Sequence, residues 1–181
     1  FRGLITYKNL NKTYVRICKV NYDWYDKLTA DYYYDEKLIK PLLKLTPQKT
    51  FTIDLTNPGD YQGHSSEIKM PELEPGFYVV LIGTDVNFTY NTEAVCYSNF
   101  WISNLSYLKR SLTKGNTQFV VTDRENGQPL KGVSAQVYNE IYNYTTRRYE
   151  YHKGASYITD DDGMFEVVSQ SNNYNNSFVE L

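Results

Sequence analysis

The sequence predicts an all-β protein made of two tandem β-sandwich domains, and three observations carry that expectation. The 181 residues include 19 tyrosines but only four alanines, Ala30, Ala94, Ala135 and Ala155. Tyrosine suits half-buried pleated surfaces and alanine is the strongest helix former, so this ratio disfavours a helical bundle or a doubly wound α/β enzyme. Short segments of alternating polarity, bounded by Gly, Pro, Asn and Asp, recur along the chain. Near Ser103 the turn signals and strands begin again in a different order, which divides the chain into domains 1–102 and 103–181, the second read as truncated at its C-terminus.

Residues 13–21 alternate as a strand does, with Val15 and Ile17 on one parity and Tyr14, Cys18 and Val20 on the other. Residues 22–45 carry Trp24, Tyr25, Tyr32, Tyr33 and Tyr34 among acids, followed by Leu38, Ile39, Pro41, Leu42 and Leu43. Pro41 breaks a helical pattern and the aromatic density suits irregular strands or a packed loop, with a short helix as the alternative. Residues 50–55 form a cleaner strand with Phe51, Ile53 and Leu55 on one face, ended by the turn residues Asn57, Pro58, Gly59 and Asp60. Within residues 70–82, the run Leu73-x-Pro75-Gly76-x-Tyr78 leads into an apolar strand. It resembles the tyrosine corner of immunoglobulin-like and fibronectin type III sandwiches, where glycine permits the tight turn and the tyrosine hydroxyl bonds back to the preceding backbone. An ordinary Pro-Gly turn is the plainer alternative. A loop over 84–93 then precedes a strand over 95–102.

In the second domain, residues 105–108 and 117–122 read as strands. Between Asp123 and Leu130 lies a turn in which Asn126-Gly127 is expected to supply positive φ. From Gly132 onward Val133, Ala135, Val137 and Ile141 are apolar while the intervening positions are polar or tyrosine, so one face is core and the other is wet. A return strand over 147–158 carries Tyr149, Tyr151 and Tyr157. Residues 159–163 turn into a strand at 164–168, residues 169–177 read as a polar loop, and 178–181 as a short final strand.

The combination Asp123-x-x-Asn126-Gly127-x-Pro129-Leu130-x-Gly132-Val133 with Thr159-Asp160-x-x-Gly163-x-Phe165 resembles the macroglobulin-like domains of bacterial alpha-2-macroglobulin-type proteins. The same punctuation occurs in carboxypeptidase-regulatory-like and transthyretin-like sandwiches. The junction from Phe100 to Tyr107 is similar to the passage between consecutive N-terminal domains of that family, and the likeness covers most of residues 70–168. It implies a non-catalytic scaffold piece of a larger protein in the periplasm or envelope of a Gram-negative bacterium, or secreted from it. Its partners would be neighbouring domains of the same longer chain and a protease acting on the parent. Any membrane attachment would come through an anchor outside these residues. Many members of the family carry a Cys-x-x-Gln thioester; here Cys18 is followed by Lys19-Val20-Asn21 and Cys96 by Tyr97-Ser98-Asn99, so no catalytic residue transfers and no cofactor is implied.

The remaining chemistry is sparse. A net charge of −2 and a longest basic cluster of Lys109-Arg110 with Lys114 disfavour nucleic acid as a partner. No stretch approaches the ~18 apolar residues of a membrane helix, and a start at Phe1 suggests an excised piece. Cys18 and Cys96 are open to two readings, a bridge or two separate buried thiols. His64 and His152 fall in different domains, which disfavours a nucleophile–histidine site. The acids Asp160, Asp161 and Asp162 before Gly163 are out of frame for an EF-hand loop, so an exposed hairpin turn is expected. Five Asn-x-Ser/Thr triplets, at Asn11, Asn87, Asn104, Asn143 and Asn175, would mark glycans only in a eukaryotic secreted protein. The tyrosines Tyr138, Tyr142, Tyr144, Tyr149 and Tyr151 are expected to line one face of a long hairpin turning near residues 145–148. They serve as stabilising cross-strand pairs or as a surface for a neighbouring domain, a protein partner or a sugar. The rival functions are therefore an adhesive glycan- or protein-binding module and a regulatory-like domain of an outer-membrane receptor.

Overall fold

The computed structural model describes residues 2–30, 36–90, 94–168 and 176–181. The chain separates into two compact units, Phe1–Ser103 and Asn104–Leu181. The first unit runs β1 (Arg2–Lys8), β2 (Lys12–Lys19), α1 (Tyr22–Ala30), α2 (Glu36–Leu43), β3 (Lys49–Asp54), β4 (Gly63–Lys69), β5 (Gly76–Gly83) and β6 (Val95–Ile102). All strand pairs are antiparallel, giving a four-stranded sheet in the order β3-β2-β5-β6 and a two-stranded sheet β1-β4.

Strand β5 explains the layering. Its run Phe77-Tyr78-Val79-Val80-Leu81 is entirely buried, which a strand with one wet face would not be. Phe77, Val79 and Leu81 point into a cluster with Tyr25, Leu38 and Leu42 from the helices. Tyr78 and Val80 point the other way, onto Val15, Ile17 and Met70. Ile82 extends that face toward Ile5 and Tyr7 of the small sheet. The sheet is thus sandwiched between helices and the β1-β4 pair.

Two helices where irregular strands or a packed loop were expected are a correction with a clear cause. Asn21 caps α1, its Oδ1 accepting the Trp24 amide at 3.0 Å, a typical N-cap bond. In α2, Leu38, Ile39 and Leu42 are buried at the spacing of one helical face, each contributing about 1.5–3 kcal/mol as an upper bound. Pro41 sits in the last turn, so only one helical bond is forfeited, the one its N–H would have made to the Lys37 carbonyl. The helix closes immediately after it through the Lys44 amide to the Pro41 carbonyl and the Leu45 amide to the Leu42 carbonyl, both 3.2 Å. Tyr32, Tyr33 and Tyr34 lie outside the described residues. Strands β1 and β4, which no sequence signal had marked, complete this unit.

The second unit contains β7 (Leu105–Ser111), a 3-10 turn at Thr113–Gly115, β8 (Thr117–Asp123), β9 (Ser134–Asn143), β10 (Arg148–Ile158), β11 (Met164–Val167) and β12 (Asn176–Glu180). These form two antiparallel three-stranded sheets, β11-β8-β7 and β10-β9-β12. Between them Phe119, Val121, Ala135 and Phe165 are buried, with Val133, Tyr157 and Val179 packed around. The Phe119 and Phe165 rings stack at 4.9 Å. Ser177, assigned to a loop from the sequence, pairs with Asn139 inside β12.

One irregularity decides which way the β10 tyrosines face. Lys153 pairs with Tyr138 and Ser156 with Gln136, so two residues on β10, Gly154 and Ala155, stand opposite one on β9, Val137, a β-bulge. The extra residue reverses the side-chain parity. Tyr157, opposite Ala135, faces the core, while Tyr149 and Tyr151, opposite Tyr142 and Glu140, face away from it. The Gln136 side chain holds the bulge, its Nε2 donating to the carbonyls of Gly154 at 3.0 Å and Ala155 at 3.3 Å. Its Oε1 accepts the Ser156 hydroxyl at 2.7 Å.

Candidate functional site

In the first unit the Tyr78 hydroxyl donates to the Glu74 carbonyl at 2.7 Å. The side chain is completely buried, and that burial raises its pKa. Its ring stacks on Phe100 at 5.6 Å, and Leu73 packs against the same cluster. Lys19 Nζ donates to the Pro75 carbonyl at 2.8 Å. A side chain at Gly76, where φ is +155°, would put its Cβ 2.4 Å from Lys19 Cε. The Leu73-x-Pro75-Gly76-x-Tyr78 run is therefore occupied in fixing a corner.

The second-unit motif converges on one end of its sandwich. Asp123 Oδ1 accepts the amides of Glu125 and Asn126, and Asn126 Oδ1 accepts the amide of Gln128 at 2.8 Å. Gly127 alone has positive φ, +73°, and Asn126 does not, which corrects the expected shared role. The reason is that Asn126 is stabilised by side-chain bonding to the backbone, leaving the left-handed position to the glycine. Pro129 forms a bridge with Thr122. Thr159, 3% exposed, donates through Oγ1 to the Leu130 carbonyl at 2.6 Å and accepts the Val133 amide at 2.9 Å. The Gly132 amide reaches the Thr159 carbonyl at 3.0 Å. Asp160 Oδ1 accepts the amides of Asp162 and Met164 at 3.0 and 2.7 Å. Gly163, φ +70°, has no room for a side chain, since a Cβ there would stand 2.4 Å from the Val121 carbonyl oxygen. Asn126, Gly127, Pro129, Gly132, Asp160 and Gly163 thus form a single knot of turns, with their polar atoms directed at backbone. Asp161 pairs with Lys131 at 2.5 Å. No group of three or more His, Cys, Asp and Glu that could hold a metal occurs among the described residues.

Cys18 and Cys96 are both free. Cys18 pairs with Val79 and Cys96 with Ile82, and these neighbours face opposite sides of the sheet, so the bridge is ruled out by strand parity. Burial raises the Cys18 thiol pKa. His64 pairs with Asp60 at 2.9 Å. The Gln62 amide, and then His64, lower the Asp60 pKa. Asp85 is lowered first by the Thr89 hydroxyl. A depression of about 560 Å³ is lined by Ser134, Gln136, Ser156, Ile158 and Glu180 among others, and it brings no acid–base pair together.

A tyrosine face on the β9–β10 hairpin is open to solvent. Tyr142 makes edge contacts with Tyr144 and Tyr149, each at 5.1 Å. Tyr138 stacks on Phe178 at 5.1 Å and Tyr151 meets Phe178 edge-on at 5.2 Å. Phe178, which sequence reasoning did not single out, joins the group because β12 sets it opposite Tyr138. The Tyr151 hydroxyl approaches Glu140 at 3.3 Å, and that carboxylate raises the Tyr151 pKa. Tyr144, Tyr149 and Tyr151 remain 86%, 61% and 59% exposed.

These two units have the fold of macroglobulin-like β-sandwich domains. Over 98% of this chain they superpose on the crystal structure of native alpha-2-macroglobulin from Escherichia coli spanning domains MG0-NIE-MG1, with a TM-score of 0.63 and 14% identity. The chain spans 54% of that structure's length. A shorter structure of the same Escherichia coli protein, spanning domains NIE-MG1, is covered over 79% of its length and matches 93% of this chain, with a TM-score of 0.56 and 14% identity. No family model matches the sequence, and no curated protein matches it significantly.

Proposed function

We propose that these domains are non-catalytic scaffold elements of a larger bacterial alpha-2-macroglobulin-like envelope protein, whose parent inhibits or senses proteases. The observation that carries this reading is the tandem match: both units, in order, follow the Escherichia coli fragment over nearly the whole chain. The use of the motif residues supports it, because the polar atoms of Thr159, Asp160 and Asn126 are spent on backbone amides and carbonyls. Sandwiches stiffened in this way hold distant parts of a long chain at set separations. Contacts between consecutive domains then convert a cleavage elsewhere into rearrangement.

The test is small-angle scattering on the purified parent before and after limited proteolysis. A change in radius of gyration with these two domains still intact is expected; an unchanged profile after complete cleavage overturns the reading. The adhesive alternative rests on the tyrosine face. For sugars, the Tyr138–Phe178 pair offers less than its ring count suggests, because the two stack on each other at an interplanar angle of 12° and one face of each is taken. Micromolar binding on a glycan array would reverse that judgement. A barrel-forming segment downstream in the parent gene would favour the receptor-domain alternative.

A further inference from the structure

The β9–β10 hairpin outruns its sheet. Strand β12 reaches only as far as the Asn176–Glu140 pair. Beyond that point, among the described residues, three pairs join the ribbon: Ile141–Glu150, Tyr142–Tyr149 and Asn143–Arg148. A two-stranded ribbon is marginally stable in water, and none of residues 141–150 is buried. Its supports are local. Tyr142 touches Tyr144 and Tyr149 edge-on, and Asn143 Oδ1 accepts the amides of Thr145 and Thr146 at 2.9 and 3.2 Å. Glu150 accepts Asn143 Nδ2 at 2.8 Å and the Thr146 hydroxyl at 3.1 Å. The segment can therefore open as a unit by losing these contacts, while the row of Tyr151 and Glu140 stays anchored by β12 and the bulge by Gln136.

At the apex stand two consecutive arginines. Residues 144–149 are all exposed, and Arg147 holds a left-handed φ of +55°, a strain that opening relieves. Neither Arg147 nor Arg148 makes an ion pair among the described residues. The four other arginines of the chain are placed differently. Arg2 lies in β1 and pairs with Glu67. Arg16 lies in the inner strand β2, its guanidinium 4.1 Å from the centre of the Phe88 ring. Arg110 lies in β7 and its Nε donates to Gln118 at 2.7 Å. Arg124 sits between Asp123 and Glu125 in the knot of turns, its amide donating to the Asn104 carbonyl at 2.7 Å. An endopeptidase takes its substrate as an extended strand, so a bond inside a sheet or a knot is reached only by unfolding it.

We propose that this tip is a cleavage site for an arginine-specific endopeptidase, which hydrolyses the Arg147–Arg148 or the Arg148–Tyr149 peptide bond. Water gives its hydroxyl to the arginine carbonyl carbon and its proton to the released nitrogen. The cut parts the ribbon and leaves the sandwich beneath folded and still able to act as scaffold, so the proposal goes beyond that role and does not rest on it. The test is timed digestion of the purified parent with clostripain, which cleaves after arginine, the new amino termini being read by mass spectrometry. Within residues 1–181 the first new terminus is expected at Arg148 or Tyr149, formed about tenfold or more faster than any cut at Arg2, Arg16, Arg110 or Arg124. Glu150→Ala, which removes the brace on Asn143 and Thr146, should speed the cut several-fold, and by more than the same change does in a free peptide of residues 143–152. The nicked protein should elute undivided from a sizing column. Equal or faster cutting at any of the four other arginines, a tip left whole while the urea-unfolded chain is cut there, a rate indifferent to Glu150→Ala, or fragments that separate would each overturn the proposal.

Discussion

Replacing Tyr78 with phenylalanine isolates one hydrogen bond in the first unit. The ring is fully buried and its stacking on Phe100 at 5.6 Å survives the change, so Tyr78→Phe deletes only the hydroxyl that reaches Glu74 at 2.7 Å. A deleted bond of this kind costs about 0.5–1.5 kcal/mol, and an acceptor left dry costs about 1–3 kcal/mol. Glu74 is itself exposed, so water can reach its carbonyl and the lower range applies. We expect about 0.5–1.5 kcal/mol, a fall of roughly 2–12 °C in the melting temperature of a unit this size. Both tryptophans, Trp24 and Trp101, belong to the first unit, so intrinsic fluorescence follows its urea unfolding separately from the second. The quantity to compare is the midpoint at constant slope. A loss below about 0.3 kcal/mol, within the usual error of additivity, would refute the claim that this hydroxyl pins the corner.

Other outcomes follow from the same geometry. Gly163→Ala combines a left-handed φ with a backbone clash and should destabilise the second unit by about 3 kcal/mol or more. Gly127→Ala, at a similar φ but in open space, should cost only about 1–2 kcal/mol; near-UV circular dichroism of the tyrosines reads both. Gln136→Ala removes the side chain that satisfies the bulge carbonyls and should cost about 1–3 kcal/mol. Hydrogen exchange should accelerate around residues 153–157, and unchanged protection there would contradict the assignment. Asp60 and Asp85 have folded-state pKa values below their unfolded ones. Their contribution is therefore present above the unfolded carboxylate pKa and is lost as pH falls through the folded values. Carbon-detected NMR titration should find both titrating below an ordinary aspartate, with Asp60→Asn and Asp85→Asn each flattening the acid limb of the stability curve. A thiol reagent should modify Cys96 in the native chain and reach Cys18, which has no exposed surface, only after unfolding.

Strand β5 was legible because five consecutive buried residues after Pro-Gly read as an interior strand whatever its neighbours. That same run carried a message about the helices that went unused. A strand apolar on both parities needs two covering layers, and residues 22–45 were the one stretch between β2 and β3 able to supply the second. The Asn21 cap and the Leu38–Leu42 spacing were local signs of it, masked by Pro41 and by aromatic residues that serve strands and helices equally. Strand β4 was missed because Ile68 is its only apolar side chain, and β1 because Leu4 beside Ile5 breaks its alternation. At the tyrosine face, the hairpin and its outward residues were readable from period two. Phe178 was not, since its membership depends on a strand pairing more than 30 residues away in sequence. The parity switch between Tyr151 and Tyr157 was hidden as well, because a bulge leaves no compositional mark beyond Gly154.

That bulge gives β10 a hinge of information between its two halves. Upstream of it the odd positions Tyr149 and Tyr151 face outward; downstream the odd position Tyr157 faces the core. Removing Ala155 would set Gly154 beside Ser156 and restore strict alternation with every pair kept, Tyr149 opposite Tyr142 and Tyr151 opposite Glu140, while Tyr157 held its place against Phe165. The unshortened strand paired without its bulge would instead turn Tyr149 and Tyr151 to the side that Tyr157 occupies, so the one extra residue is what lets a core tyrosine and two surface tyrosines share the odd positions of β10.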